Sequence, residues 1–147
     1  MNYQRINNLV GWLIFLIASF TFISTIEPTG SFWDCGEFIA TAHKLEVGHP
    51  PGAPFFLMLA RVFILFGGDD VKMIPVMVNI LSALMSAFTI LFLFWTITAL
   101  AKKLLLKKSA ELTTDKIIAI MGAGAVGALA YTFSDSFWFS AVEGEVY

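Results

Sequence analysis

The sequence predicts an all-α membrane protein, with about three transmembrane helices and with amphipathic or re-entrant helices in its first outer loop. Three observations lead there. Of 147 residues, 58% are hydrophobic and only 14% charged, whereas soluble domains are about half apolar and about a quarter charged. The apolar residues form long runs, not a scattered core, and mean hydropathy reaches +0.80. The remaining charges segregate, with most lysines in one connecting stretch and most carboxylates in others. The net charge of -2 is small, and no basic stripe alternates with stacking aromatics, which argues against nucleic acid as a partner. The single Cys35 excludes an internal disulfide.

The first apolar run, residues 9–26, is long enough to cross ~30 Å of hydrocarbon. A secretory signal would have a shorter apolar region and an A-x-A-like cleavage site. The run ends instead on Ser24-Thr25-Ile26-Glu27-Pro28, so it reads as a retained span. The second run, 73–101, holds Asn79, Ser82, Ser86 and Thr89 but no charge until its end. It exceeds a minimal span, so it tilts or rises into the interface. The third, 117–133, carries Gly122-Ala123-Gly124-Ala125-Val126-Gly127-Ala128, whose small-xxx-small spacing lets helices approach closely. Its formal GxGxxG pattern lies inside an apolar span, not between a strand and a helix, and is no dinucleotide fingerprint.

A fourth apolar segment, Pro54 to Phe66, contains Arg61 and at about 13 residues is short for a span. Charge decides its placement. Lys102, Lys103, Lys107 and Lys108 mark a cytoplasmic loop, 102–116, and Arg5 puts the N-terminus on the same side. Two crossings between Arg5 and Lys102 satisfy both, so Pro54–Phe66 should lie along or dip into the outer leaflet. The outer loop then runs over 27–71 and holds Glu27, Asp34, Glu37, Glu46, Asp69 and Asp70.

Within that loop a short amphipathic helix is expected from Asp34 to Val47. Cys35, Phe38, Ile39, Ala42 and Leu45 form its apolar stripe, and Asp34, Glu37, Thr41 and Lys44 the opposite face. Gly48 and the turn His49-Pro50-Pro51-Gly52 end it. Asp34 and Glu37, three apart, project to one side. Their spacing fits a capping box that only satisfies backbone N–H groups. The same spacing also suits, though spacing alone favours the cap, a carboxyl pair divided between base and acid, or oxygen ligands for a divalent cation such as Mg²⁺ or Mn²⁺. His49 is either a surface group in a rigid turn or a proton-handling residue. Arg61 either snorkels to water or meets a lipid phosphate. Near the C-terminus, Asp135, Glu143 and Glu145 return acids to the outer side among Phe137, Trp138 and Phe139. No nucleophile elbow, H-E-x-x-H or P-loop is present.

Asp34-Cys-Gly-Glu37-Phe-Ile-Ala-Thr-Ala-His43, followed by His49-Pro-Pro-Gly52-Ala-Pro54, resembles the start of the GT-C superfamily membrane glycosyltransferases, in particular the protein O-mannosyltransferase-like family. Glu145-Val-Tyr147 looks like a further motif of that family. The resemblance covers nearly all of residues 1–147 but only the N-terminal part of such an enzyme, so the chain is expected to be one part of a longer polytopic protein. It implies inverting transfer of a mannose-like sugar from a polyprenyl-phosphate carrier to a protein or glycan acceptor, on the outer face of a bacterial inner membrane. It implies Asp34 as base or metal ligand with Glu37 supporting it, and His49, Glu145 and Tyr147 on the substrate or carrier side. Arg61 is added as a phosphate ligand from its chemistry alone. The competing expectation is a non-catalytic membrane subunit, or a scaffold of an export or envelope complex, that keeps the fold to bind partner subunits.

Overall fold

The computed structural model describes residues 2–50, 52–106 and 112–144, and every regular element within them is helical. In order these are α1 (Tyr3–Ser24), α2 (Cys35–Lys44), α3 (Pro54–Leu65), α4 (Met73–Leu105), α5 (Thr114–Thr132) and α6 (Asp135–Ala141). Three of them, α1, α4 and α5, have the length and hydropathy to cross a bilayer. The chain is an integral membrane protein, all-helical among the described residues. α3 is apolar but has 12 residues, about 18 Å of helix at 1.5 Å per residue, against a hydrocarbon core of about 30 Å. The lysines at 107 and 108 and the acid at 111 lie outside the described residues.

Local chemistry sets the helix ends. Asn2 Oδ1 accepts the backbone N–H groups of Gln4 and Arg5 at 3.1 and 3.4 Å, capping α1. Pro54 opens α3, where its missing N–H has no helical partner in any case. Gly68, at φ +66°, turns the chain after α3, and Asp70 Oδ1 accepts the Lys72 N–H at 2.9 Å just before α4.

The helices form two compact units. The first combines the chain up to Phe20 with Ala87–Ser134. Here α1 and α5 each meet α4 through glycine. A Cβ on Gly11 would lie 2.7 Å from Trp95 Nε1, and one on Gly124 2.6 Å from Thr98 Cγ2 and 2.8 Å from Phe94 Cε2. The small-residue stretch of α5 therefore has its partner within this chain, and Gly124 and Ala128 are its buried pair, four apart. Gly122 meets nothing within 4 Å. Tyr3 lies under Lys102, whose Nζ is 4.5 Å from the ring centroid.

The second unit combines Thr21–Ser86 with the chain from Asp135 onward. Its core joins Phe38 and Ala42 of α2, Leu57, Ala60 and Ile64 of α3, and Val78 and Leu81 of α4. α2 is shorter than its apolar stripe predicts. It stops at Lys44 because Leu45 turns left-handed, at φ +55°, with the Glu46 N–H closing back on Thr41 O at 3.0 Å. Leu45 is thereby exposed, while Thr41 is buried with its hydroxyl donated to Glu37 O at 2.7 Å. Backbone geometry overrides side-chain polarity at both positions. The short α6 was not legible in the sequence, because seven residues carry too little periodicity. It is tied to the end of α1, where Trp138 Nε1 donates to Thr25 Oγ1 at 2.9 Å and Phe137 packs edge-on to Phe22.

The glycine contacts make a prediction. Gly124→Ala should destabilise the protein by about 1–3 kcal/mol, the usual cost of overpacking. Gly122→Ala should be neutral or gain up to ~1 kcal/mol of helix propensity. Thermal unfolding in detergent compares the two, and equal effects would contradict the α4–α5 contact.

Candidate functional site

The segment that follows α1 is anchored before it reaches α2. Buried Asn79 of α4 donates Nδ2 to Glu27 O at 2.6 Å and to Thr29 O at 3.2 Å. The Glu27 N–H donates to Val142 O at 3.0 Å. Gly144 lies close against Val78, Asn79 and Cys35, where a Cβ would sit 3.0 Å from Val78 Cγ1. With Cys35 buried completely, the first turn of α2 is fixed from below. Trp33 then enters α2 at φ +57°, a left-handed conformation that costs a bulky residue about 1–2 kcal/mol. The residue is 87% exposed, so burial does not offset that cost.

Asp34 occupies the N-cap position of α2 at φ −84° and ψ −3°, and its side chain makes no capping hydrogen bond. Glu37 stands in the first turn, where a capping box would send its carboxylate back to the Asp34 N–H. It turns the other way. Glu37 Oε1 accepts the backbone N–H of His49 at 2.7 Å, and Oε2 lies 2.9 Å from His49 Nδ1. The opposite ring nitrogen, Nε2, lies 3.7 Å from Asp34 Oδ2. His49 thus sits between the two carboxylates, and the reciprocal capping box is not formed.

Glycine makes this possible. A Cβ on Gly48 would lie 3.0 Å from Glu37 Oε1. Gly52, at φ +68°, closes the turn with its N–H on His49 O at 2.8 Å. Gly48 reads in the sequence only as a helix terminator, and its part in admitting Glu37 was missed. So were Trp33 and Asn79, whose roles depend on a backbone angle and on a contact about fifty residues away in sequence.

The electrostatics follow the geometry. The Glu37 carboxyl is held below its ordinary range, first by the His49 backbone N–H and then by the His49 ring, with desolvation opposing. The His49 imidazole is raised above its ordinary range by its hydrogen bond to Glu37, then by the Glu37 charge, with Asp34 adding to the effect. One ligand atom each from Asp34, Glu37 and His49 fall within 4.8 Å of one another, the spacing of a cation site. Both Glu37 oxygens already meet His49, so a cation held there by Glu37 would displace one of those contacts.

The other sequence candidates lie elsewhere. Arg61 Nη1 donates to His43 O at 2.9 Å and lies 3.4 Å from His43 Nδ1, tying α3 to the last turn of α2. Its groove is also lined by Asp69 and Asp70, which disfavour an anion. The residues at 145 and 147, the remaining sequence candidates, lie outside the described residues.

The Glu37–His49 contact carries a pH dependence. Because the Glu37 pKa is lowered, its contribution is full above about 4.5 and is lost as pH falls through the folded-state pKa. Because the His49 pKa is raised, its contribution is full below about 6.5 and is lost as pH rises through the folded-state value. Amide exchange at His49, corrected for the intrinsic rate, should therefore be slowest between about pH 4.5 and 6.5. Glu37→Gln should flatten that profile. A wild-type profile already flat across this window would contradict the pairing.

Residues 34–147 match the family described as "Protein O-mannosyl-transferase TMEM260 N-terminal domain". Protein O-mannosyl-transferase tmem260 of Dictyostelium discoideum is 24% identical over 135 residues, covering 92% of this chain and 14% of that protein. Protein O-mannosyl-transferase TMEM260 of Mus musculus is 34% identical over 91 residues, covering 60% of this chain and 12% of that protein. The chain thus spans only about one-seventh of the first of these relatives and less of the second. No solved structure matches. The family match begins at Asp34 and takes in Glu37, His49 and Arg61. On that match, this chain belongs to the protein O-mannosyl-transferase TMEM260 N-terminal domain family.

Proposed function

We propose that this chain supplies the acidic acceptor site of a membrane glycosyltransferase. The reaction transfers a mannose-like sugar from a polyprenyl-phosphate carrier to a hydroxyl of a protein acceptor, with inversion at the anomeric carbon. The observation that carries this reading is the meeting of Asp34, Glu37 and His49 at the entrance to α2, with Asp34 not spent on capping. The names of the TMEM260 relatives support the class of reaction.

An acceptor hydroxyl holds its proton firmly at neutral pH. It becomes an effective nucleophile only if that proton leaves as the bond to the anomeric carbon forms and the carbon gains cationic character. Asp34 is assigned as the base. The exposed position of the site suits a macromolecular acceptor, since side chains of Asp34, Glu37 and His49 are 33%, 38% and 47% exposed. A Mg²⁺ or Mn²⁺ bound through Glu37 would first have to displace a His49 contact, so no step of this reading is carried by a metal. The setting proposed is a bacterial cytoplasmic membrane, with the N-terminus and Lys102 and Lys103 inside and the 27–71 segment outside.

Asp34→Asn in the full-length protein should lower sugar transfer by about 10²–10⁴-fold, the range for loss of a positioned base, without loss of expression. Transfer near the wild-type rate would remove Asp34 as base and leave the scaffold of an export or envelope complex as the better reading. Orientation has its own test. Asp69→Cys should add reactivity toward a membrane-impermeant maleimide outside intact cells, over the parent protein carried as control; Cys35 is completely buried. Labelling only from the cytoplasmic face would overturn the topology.

A further inference from the structure

We infer that the His49 ring, not Glu37, works beside Asp34 on the acceptor hydroxyl, and that Glu37 is a positioning residue that keeps Nε2 of that ring turned toward Asp34. The inference rests on the reading of Asp34 as base and divides the remaining labour differently. Sequence spacing pairs Asp34 with Glu37. The geometry pairs Asp34 with His49 and places Glu37 behind it.

Both Glu37 oxygens are engaged, one by the His49 backbone N–H at 2.7 Å and the other by Nδ1 at 2.9 Å. An ionised carboxylate only accepts hydrogen bonds, so in neutral His49 the proton sits on Nδ1 and the lone pair on Nε2. That lone pair is directed to the Asp34 side, 3.7 Å from Oδ2. An approach of about 0.8 Å brings the two atoms to ordinary hydrogen-bond distance. The arrangement repeats, without metal, the way a carboxylate fixes the tautomer of a working histidine.

The proton inventory balances. As the acceptor oxygen bonds to the anomeric carbon, the bond from that carbon to the phosphate oxygen breaks, and its electron pair leaves on the phosphate. The hydroxyl proton moves to the Asp34 carboxylate. Neutral His49 takes it on Nε2 and later releases it to water, restoring Asp34. When His49 is already protonated, its Nε2–H instead faces Asp34 and ties up the base. Activity should therefore rise with pH through the His49 pKa. Glu37 of α2 and Asp34 at its N-cap are the charged groups that act on the ring. In α3 the charged group is Arg61, which is held on His43. Glu46 lines the neighbouring groove with Gly48.

The experiment is the pH profile of kcat/KM for sugar transfer by the full-length protein and its variants. In Glu37→Gln, the amide oxygen must still accept the His49 backbone N–H, so the amide N–H faces Nδ1. The ring proton is then forced onto Nε2. The expected result is a fall in kcat of about 10–100-fold, as for other orienting partners, with KM for the carrier nearly unchanged and the acid limb moved to lower pH. His49→Gln should abolish that limb, and it carries the test alone if Glu37→Gln fails to fold. An acid limb unmoved in Glu37→Gln, or retained in His49→Gln, overturns the inference. If Asp34→Asn is inactive while that limb stays, this inference alone fails. If Asp34→Asn is active, the reading beneath it fails.

Discussion

The arrangement of the segment between α1 and α4 depends on one carboxylate. Glu37 takes two N–H groups of His49, one from the backbone and one from the ring, and so joins the first turn of α2 to the turn that begins α3. A single-point contact would let the turn swivel. Two contacts, 2.7 and 2.9 Å long, define both the path of the backbone and the plane of the imidazole. Charge-assisted hydrogen bonds of this kind are about twice as strong as neutral ones. The contact also exacts local conditions. Gly48 must lack a Cβ, and Gly52 must adopt a positive φ.

That contact can be precise because its support is apolar and rigid. α2 and α3 bury Phe38, Ala42, Leu57, Ala60 and Ile64 against Val78 and Leu81 of α4. α3 is apolar on its other side as well, where Phe55, Met58, Val62 and Leu65 are exposed. A helix apolar all round belongs in a protein interior or in lipid. In a chain whose preceding and following helices in sequence, α1 and α4, are long and apolar enough to cross a membrane, lipid is the natural cover for that exposed stripe. Arg61, on the same helix, does not break the apolar character, because its head is drawn onto the His43 carbonyl.

What was legible in the sequence was what periodicity and charge encode. Long uncharged runs mark α1, α4 and α5, and Pro54 marks the start of α3. The His-Pro-Pro-Gly turn and the Asp34/Glu37 pair identify the region where the side chains meet. Their pairing could not be read, because Asp-x-x-Glu has the same spacing whether the glutamate folds back as a cap or reaches twelve residues forward to His49. Leu45 shows the same limit from the other direction. Its apolar character places it in the stripe of α2, yet its left-handed backbone turns it outward. Backbone angles and long-range contacts decide both cases, and neither leaves a periodic trace.

Two local choices at this site run against stability. Trp33 is held left-handed without burial to offset it, and Asp34 stands at an N-cap without making the cap, forgoing about 1 kcal/mol. Glu37 likewise gives up the return half of a capping box. Several other helix starts follow the local rules, as at the Asn2 cap of α1, Pro54 at the start of α3 and Asp70 before α4, although Leu45 is also left-handed and Thr113 opens α5 without a side-chain cap. Proteins tend to break such rules where a side chain is needed for something other than folding. A helix whose first turn served stability alone would send Asp34 and Glu37 to its own N–H groups. Here Glu37 turns to His49, and Asp34 Oδ2 lies 3.7 Å from the same imidazole, an arrangement that fits the proton-handling role proposed above.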